Sequence, residues 1–171
     1  MSRLDSFIRR MEAQRACLNA AAAAIADVPG PVLELGLGNG RTYDHLREIL
    51  PDRAIWVFDR RVKAHPDCIP PEDRLFLGEV TETLPAAERA LGARCAALIH
   101  TDLGTGDAAA NAALAAEVGP LIARLMAPGG LVVANHELPG RPWDAVALPD
   151  GVKPGRYFLY RGREEAGEEA G

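Results

Sequence analysis

Five short apolar runs constrain this chain most: residues 32–35, 54–58, 75–77, 95–100 and 131–134. None alternates cleanly between apolar and polar positions. A strand with one wet face alternates, whereas a strand covered on both faces is apolar almost throughout. Parallel neighbours need connections of about a dozen residues or more, and the four segments between these runs are long enough. The pattern predicts an α/β fold: a doubly wound, mostly parallel Rossmann-like sheet with helices on both faces and right-handed crossovers.

The connecting segments carry their own signals. Residues 3–27 read as a helix, with Leu4, Phe7, Ile8, Met11, Leu18, Ala22 and Ile25 on one stripe and Arg9, Arg10 and Glu12 mostly off it. Pro29-Gly30-Pro31 stops it. Residues 41–49 form a second helix behind Tyr43, Leu46 and Ile49. Pro66, Pro70 and Pro71 argue against a long helix over 60–74. A third helix is expected over 83–91, capped by Thr83 with Pro85 in its first turn. Asp107 caps a fourth, which runs to about Met126 and ends at Pro128-Gly129-Gly130.

The C-terminal part breaks the rhythm. Only residues 135–142 separate the fifth run from 143–148, too few for a parallel crossover. Residues 155–160 are the better strand and return antiparallel against the fifth. The tail 162–171 holds four Glu and no large apolar side chain, so it is expected to be disordered. With 171 residues in all, 1–161 make a single domain.

Charge and cysteines narrow the setting. A net charge of −5 argues against a broad nucleic-acid surface. Cys17, Cys68 and Cys95 are scattered, with neither metal spacing nor a disulfide framework. No run is long enough to cross a membrane and no export signal is evident, so a cytoplasmic setting is expected.

The strongest chemical signal is Glu34-Leu35-Gly36-Leu37-Gly38-Asn39-Gly40, between the first strand and its helix. Glycine permits positive φ and close approach of a ligand to the backbone, and the helix start offers free N–H groups to an anion. A dinucleotide loop has the spacing G-x-G-x-x-G/A, but Arg41 stands at the last of those positions. Asp59, at the end of the second strand, is placed to accept both hydroxyl protons of a ribose.

With its acidic residue and G-x-G-x-G spacing, the segment resembles the first motif of the class I S-adenosylmethionine-dependent methyltransferases. The resemblance spans about residues 30–136. It implies S-adenosyl-L-methionine as cofactor, bound by Glu34, Gly36, Leu37, Gly38, Asn39, Gly40 and Asp59. It further implies adenine contacts from Glu79 and Val80 with Arg60 on the ring's other face, and His100 at the methionine end. The implied activity is methyl transfer to a small-molecule acceptor. A non-catalytic binder of the same cofactor and a nicotinamide-dependent oxidoreductase are the competing readings.

Acceptor chemistry belongs at the carboxyl ends of the fourth and fifth strands. Asp102 and His136 stand there as the catalytic candidates, to orient an acceptor and take its proton. Asp102 is also well placed to cap the Gly104–Gly106 turn. Some members of the resembled class hold magnesium with acidic and amide groups at these positions. Asn135 and His136 are poor magnesium ligands, so no metal is expected. The chain has no inserted substrate domain. The acceptor pocket must come from the N-terminal helix, these two loops, residues 137–155, or a second subunit in a homo-oligomer.

Overall fold

The computed structural model describes residues 2–140 and 143–163. The chain runs α1 (Arg3–Ala24), β1 (Val32–Leu35), α2 (Arg41–Ile49), β2 (Ile55–Asp59), β3 (Leu75–Leu77), α3 (Val80–Leu91), β4 (Ala96–Thr101), α4 (Ala108–Leu125), β5 (Met126–Ala134), β6 (Trp143–Val146) and β7 (Phe158–Gly162). Two short 3₁₀ turns, Pro66–Cys68 and Glu72–Arg74, take the place of a helix between β2 and β3. The strands form one sheet in the order β3-β2-β1-β4-β5-β7-β6. The first five are parallel, and β7 is antiparallel to both β5 and β6. Chain order reverses between β1 and β4, and the crevice of such a sheet opens beyond the strand ends at that switch point.

Strand periodicity divides the core. Val32, Val57, Leu98, Leu131 and Val133 face α1 and α2, while Leu33, Leu35, Phe58, Ile99 and Val132 face the layer of α3 and α4. Each fully buried aliphatic side chain here is worth about 1.5–3 kcal/mol. The helix α1 belongs to the core only in its second half. Cys17, Leu18, Ala21 and Ile25 are buried, but Leu4, Phe7 and Ile8 of the expected stripe are 66%, 47% and 45% exposed. Past its end, Arg53 donates to the carbonyls of Ile25, Ala26, Val28 and Gly30, which fixes the base of α1 to the loop before β2.

Three expectations are corrected. The helix α3 starts at Val80 after Glu79, and the Thr83 hydroxyl donates back to the Glu79 carbonyl, so Thr83 does not cap and Pro85 lies inside the helix. Pro128-Gly129-Gly130 is not a turn after α4, because β5 begins at Met126 directly beyond the helix. Ala96 pairs with Met126 but Leu98 with Leu131, so the Pro-Gly-Gly segment bulges out of register within β5. The stretch at 143, passed over in favour of 155–160, does join the sheet, as edge strand β6 antiparallel to β7, and in keeping with its short connection it is not a parallel neighbour of β5. Gly162 closes β7, and the rest of the expected acidic tail lies, from residue 164, outside the described residues.

Candidate active site

At the switch point the chain leaves β1 through Gly36, Gly38 and Gly40, with φ of 95°, 52° and 86°. The outer two are closed in by protein. A Cβ on Gly36 would meet the Asp102 carbonyl oxygen at 3.0 Å, and one on Gly40 the Cys68 Cβ at 2.4 Å. Gly38 has no atom within 4 Å in that direction. The loop is therefore gripped at both ends and bare in the middle. Gly40 precedes α2 without a side-chain cap, which leaves the helix N–H groups to a ligand. Asp59 stiffens the loop from the next strand: its Oδ2 accepts from Leu37 N at 2.8 Å and Gly38 N at 3.2 Å, and its Oδ1 from Arg61 N.

This loop floors a cavity of about 470 Å³. Its walls are Asp59 and Arg60 after β2, Gly78, Glu79 and Val80 after β3, and Asp102–Thr105 after β4. Phe7, Arg10, Met11 and Gln14 of α1 close the remaining side. Arg60 Nη1 and Glu79 Oε1 stand 4.0 Å apart at the exposed rim. Arg41 lines the cavity opposite the Phe7 ring, 6.0 Å from its centroid, and stands where a dinucleotide fold has its third glycine.

Two of the expected contacts lie behind this cavity. Glu34 and His100 are register partners on β1 and β4 and point to the same face, both fully buried. His100 Nδ1 donates to Glu34 Oε2 at 2.6 Å, and the Thr42 hydroxyl donates to Glu34 Oε1. Burial works most strongly against a charged ring, but the Glu34 carboxylate, with Asp102 further off, outweighs it and raises the His100 pKa. His100 Nε2 lies 3.4 Å from Gln14 Nε2, which donates in turn to Asp102 Oδ2 at 3.0 Å.

Asp102 is thus a junction. Its two oxygens accept from Arg10 Nη2 at 3.0 Å, and Oδ1 accepts from Asn135 Nδ2 at 2.8 Å. The turn it was expected to cap is held by Asn111, whose Oδ1 accepts from Thr105 N and whose Nδ2 donates to the Thr105 carbonyl. Asp102 and His136 do line a common second cavity of about 360 Å³, together with Arg10, Asn135, Arg156 and Tyr157. The two cavities share Arg10 and Asp102–Thr105 as a common wall. Beside it His136 packs against Gly104, where an added Cβ would meet the ring's Nε2 at 2.8 Å. Among the described residues no group of three or more His, Cys, Asp or Glu is placed to hold a metal.

The sequence offers the N-terminal helix as a pocket wall and puts Phe7 and Met11 on its apolar stripe, but it does not single out Arg10 or Gln14 as site residues; Phe7, Arg10, Met11 and Gln14 together line the cavity. They recur at i, i+3, i+4 and i+7, which is one helix face. This face mixes charge with apolar side chains, so an apolar stripe alone does not reveal it.

A parallel switch-point sheet with a bare glycine cradle and an acidic residue after β2 defines a nucleotide-cofactor enzyme of the Rossmann-like class. The profile of the S-adenosyl-L-methionine methyltransferase family matches residues 1–162, and the chain belongs to that family. A crystal structure of an S-adenosyl-L-methionine methyl transferase from Silicibacter pomeroyi DSS-3 is 47% identical, with a TM-score of 0.90 over 95% of this chain and 99% of the other. Two more distant structures share the fold. One is human methyltransferase-like protein 13 in complex with SAH, 12% identical with a TM-score of 0.55 over 91% of this chain and 81% of that one. The other is the antibiotic-resistance methyltransferase Kmr, 17% identical with a TM-score of 0.51 over 88% and 93%. No curated protein matches the sequence. The protein is an enzyme that takes S-adenosylmethionine as methyl donor. No helix among the described residues is long and apolar enough to cross a membrane.

Proposed function

We propose that the first cavity holds S-adenosylmethionine and the second holds a small-molecule acceptor, with methyl transfer across their shared wall. The observation that carries this reading is the bare middle of the glycine loop. Gly38 is the one position of the loop glycines where a side chain would enter the cavity rather than the protein. Gly36, Leu37, Gly38 and Asn39, with the start of α2 beyond Gly40, hold the methionine half. Asp59 takes the ribose hydroxyls. Arg60, Glu79 and Val80 border the adenine. Glu34 and His100 act from behind, by fixing Thr42 and Gln14.

The bound donor supplies an electrophilic methyl group on a good leaving group, so the protein's share is alignment and exclusion of water. Asp102 is fully engaged by Arg10, Gln14 and Asn135, which suits it to positioning rather than to proton uptake. His136 has no hydrogen-bond partner among the described residues and is the group free to take an acceptor's proton. None of these roles requires a metal.

Calorimetry tests the donor site. S-adenosylhomocysteine should bind the wild type and NAD should not. Gly38→Ala should lose about tenfold or more in S-adenosylhomocysteine affinity, the equivalent of roughly 1.4 kcal/mol. An unchanged affinity in a folded Gly38→Ala protein would overturn the assignment.

A further inference from the structure

The second cavity holds more positive charge and more donor capacity than its own contacts use. Asp102, the carboxylate in its wall, is spent on Arg10, Gln14 and Asn135. That leaves Arg156 without an ion pair among the described residues; its one hydrogen bond, to Ser6 Oγ, is long at 3.4 Å. Next to it Tyr157 is 1% exposed, and its hydroxyl has no hydrogen-bond partner. It is the only buried side-chain polar atom among the described residues left in that state. The Arg10 guanidinium lies close enough to act on this hydroxyl electrostatically, short of a well-formed hydrogen bond. Burial pushes the Tyr157 hydroxyl up to about 12, so it keeps its proton and remains a donor at physiological pH. Buried polar groups are almost always paired, and an exception calls for a partner that arrives later.

We propose that the second cavity takes an acceptor carrying an anionic oxygen group, a carboxylate or a phosphate, bound by Arg156 and the Tyr157 hydroxyl. This rests on the methyl-transfer reading above and adds the chemical class of the acceptor. A guanidinium fork matches either oxyanion in two-point geometry, and the neighbouring O–H supplies a further bond. The hydroxyl lies beside the partly exposed Arg10 side chain, so a ligand oxygen that meets it would share it with that guanidinium. An anion anchored there leaves the rest of the molecule to extend past His136 toward the wall shared with the donor cavity.

The test titrates benzoate, phenyl phosphate and benzamide into the full chain saturated with S-adenosylhomocysteine, followed by NMR. At least one anion should bind about tenfold or more tighter than the neutral amide, and the order of the two anions distinguishes carboxylate from phosphate. Arg156→Gln and Tyr157→Phe should each weaken the favoured anion by about tenfold, the usual size of a charge-assisted hydrogen bond. Neither should change S-adenosylhomocysteine affinity. Tyr157→Phe should melt no lower than the wild type, because the hydroxyl it removes makes no well-formed hydrogen bond. Equal binding of benzamide and the anions, or a Tyr157→Phe protein that melts lower yet keeps its anion affinity, would overturn the proposal. Failure of S-adenosylhomocysteine to bind at all would overturn the donor-site reading and this proposal with it.

Discussion

The two cavities share a wall but are built in different ways. The donor cavity is floored by backbone, held where Asp59 reaches back to Leu37 and Gly38 from the next strand. The acceptor cavity is walled by side chains from distant parts of the chain. Beyond the Arg10–Asp102 pair that it shares with the donor cavity, Arg156 meets Ser6 from the opposite end of the molecule. A backbone site recognises a constant partner through groups that every residue type possesses. A side-chain site can be altered one residue at a time, which suits the half of a transferase whose ligand differs between relatives.

The largest expected effect falls on the buried pair behind the donor cavity. His100→Ala leaves the Glu34 carboxylate buried without its ring partner, which should cost about 3–5 kcal/mol of stability. Denaturant unfolding measures it, and a loss under about 1 kcal/mol would show that the pair is not what ties the two regions together. Next is Asp59→Asn, which puts an amide N–H against the loop's own N–H groups or turns the remaining oxygen away from the ribose. S-adenosylhomocysteine affinity should fall about tenfold, while anion binding in the second cavity stays as it was. Equal losses on both sides would erase the distinction between them.

Arg10→Met should do little to stability, about 1 kcal/mol or less, because the ion pair with Asp102 is 45% and 21% exposed. Thermal melting checks this. A large loss would make α1 a structural strut rather than a wall of the site. The smallest effect is on pH. The folded pKa of His100 is raised above 6.5, so the stability its charged ring contributes is complete below about 6.5 and fades as pH rises through the folded value. His100→Gln should flatten that part of the stability profile, as read by melting temperature against pH.

The same contrast explains what could be read from the sequence. The bounds of β1, α2 and β3, the glycine loop and the acidic ends of β2 and β3 come from local pattern and turn chemistry, and the structure places them as expected. Glu34 and His100 carried the right residue types, yet their register across β1 and β4 buries both behind the cavity. That depends on strand pairing, which no local window contains. Arg10 and Gln14 become site residues only because α1 crosses the β4 end. Pro128-Gly129-Gly130 looked like a helix stop, and β5 absorbs it as a bulge because its partner β4 is already in place.

The anchoring of α1 has a mechanical consequence. Arg53 clamps the carbonyls beyond the last turn of this helix, while Leu4, Phe7 and Ile8 near the other end stay largely uncovered. At about 1.5 Å per residue the 22-residue helix is a rod of about 33 Å, tied at its base by Arg53 and further along by the Arg10 and Gln14 bonds to Asp102. Phe7 and Arg10 lie on the half of that rod that walls the donor cavity, so the length of α1 carries side chains from the Arg53 base to the site.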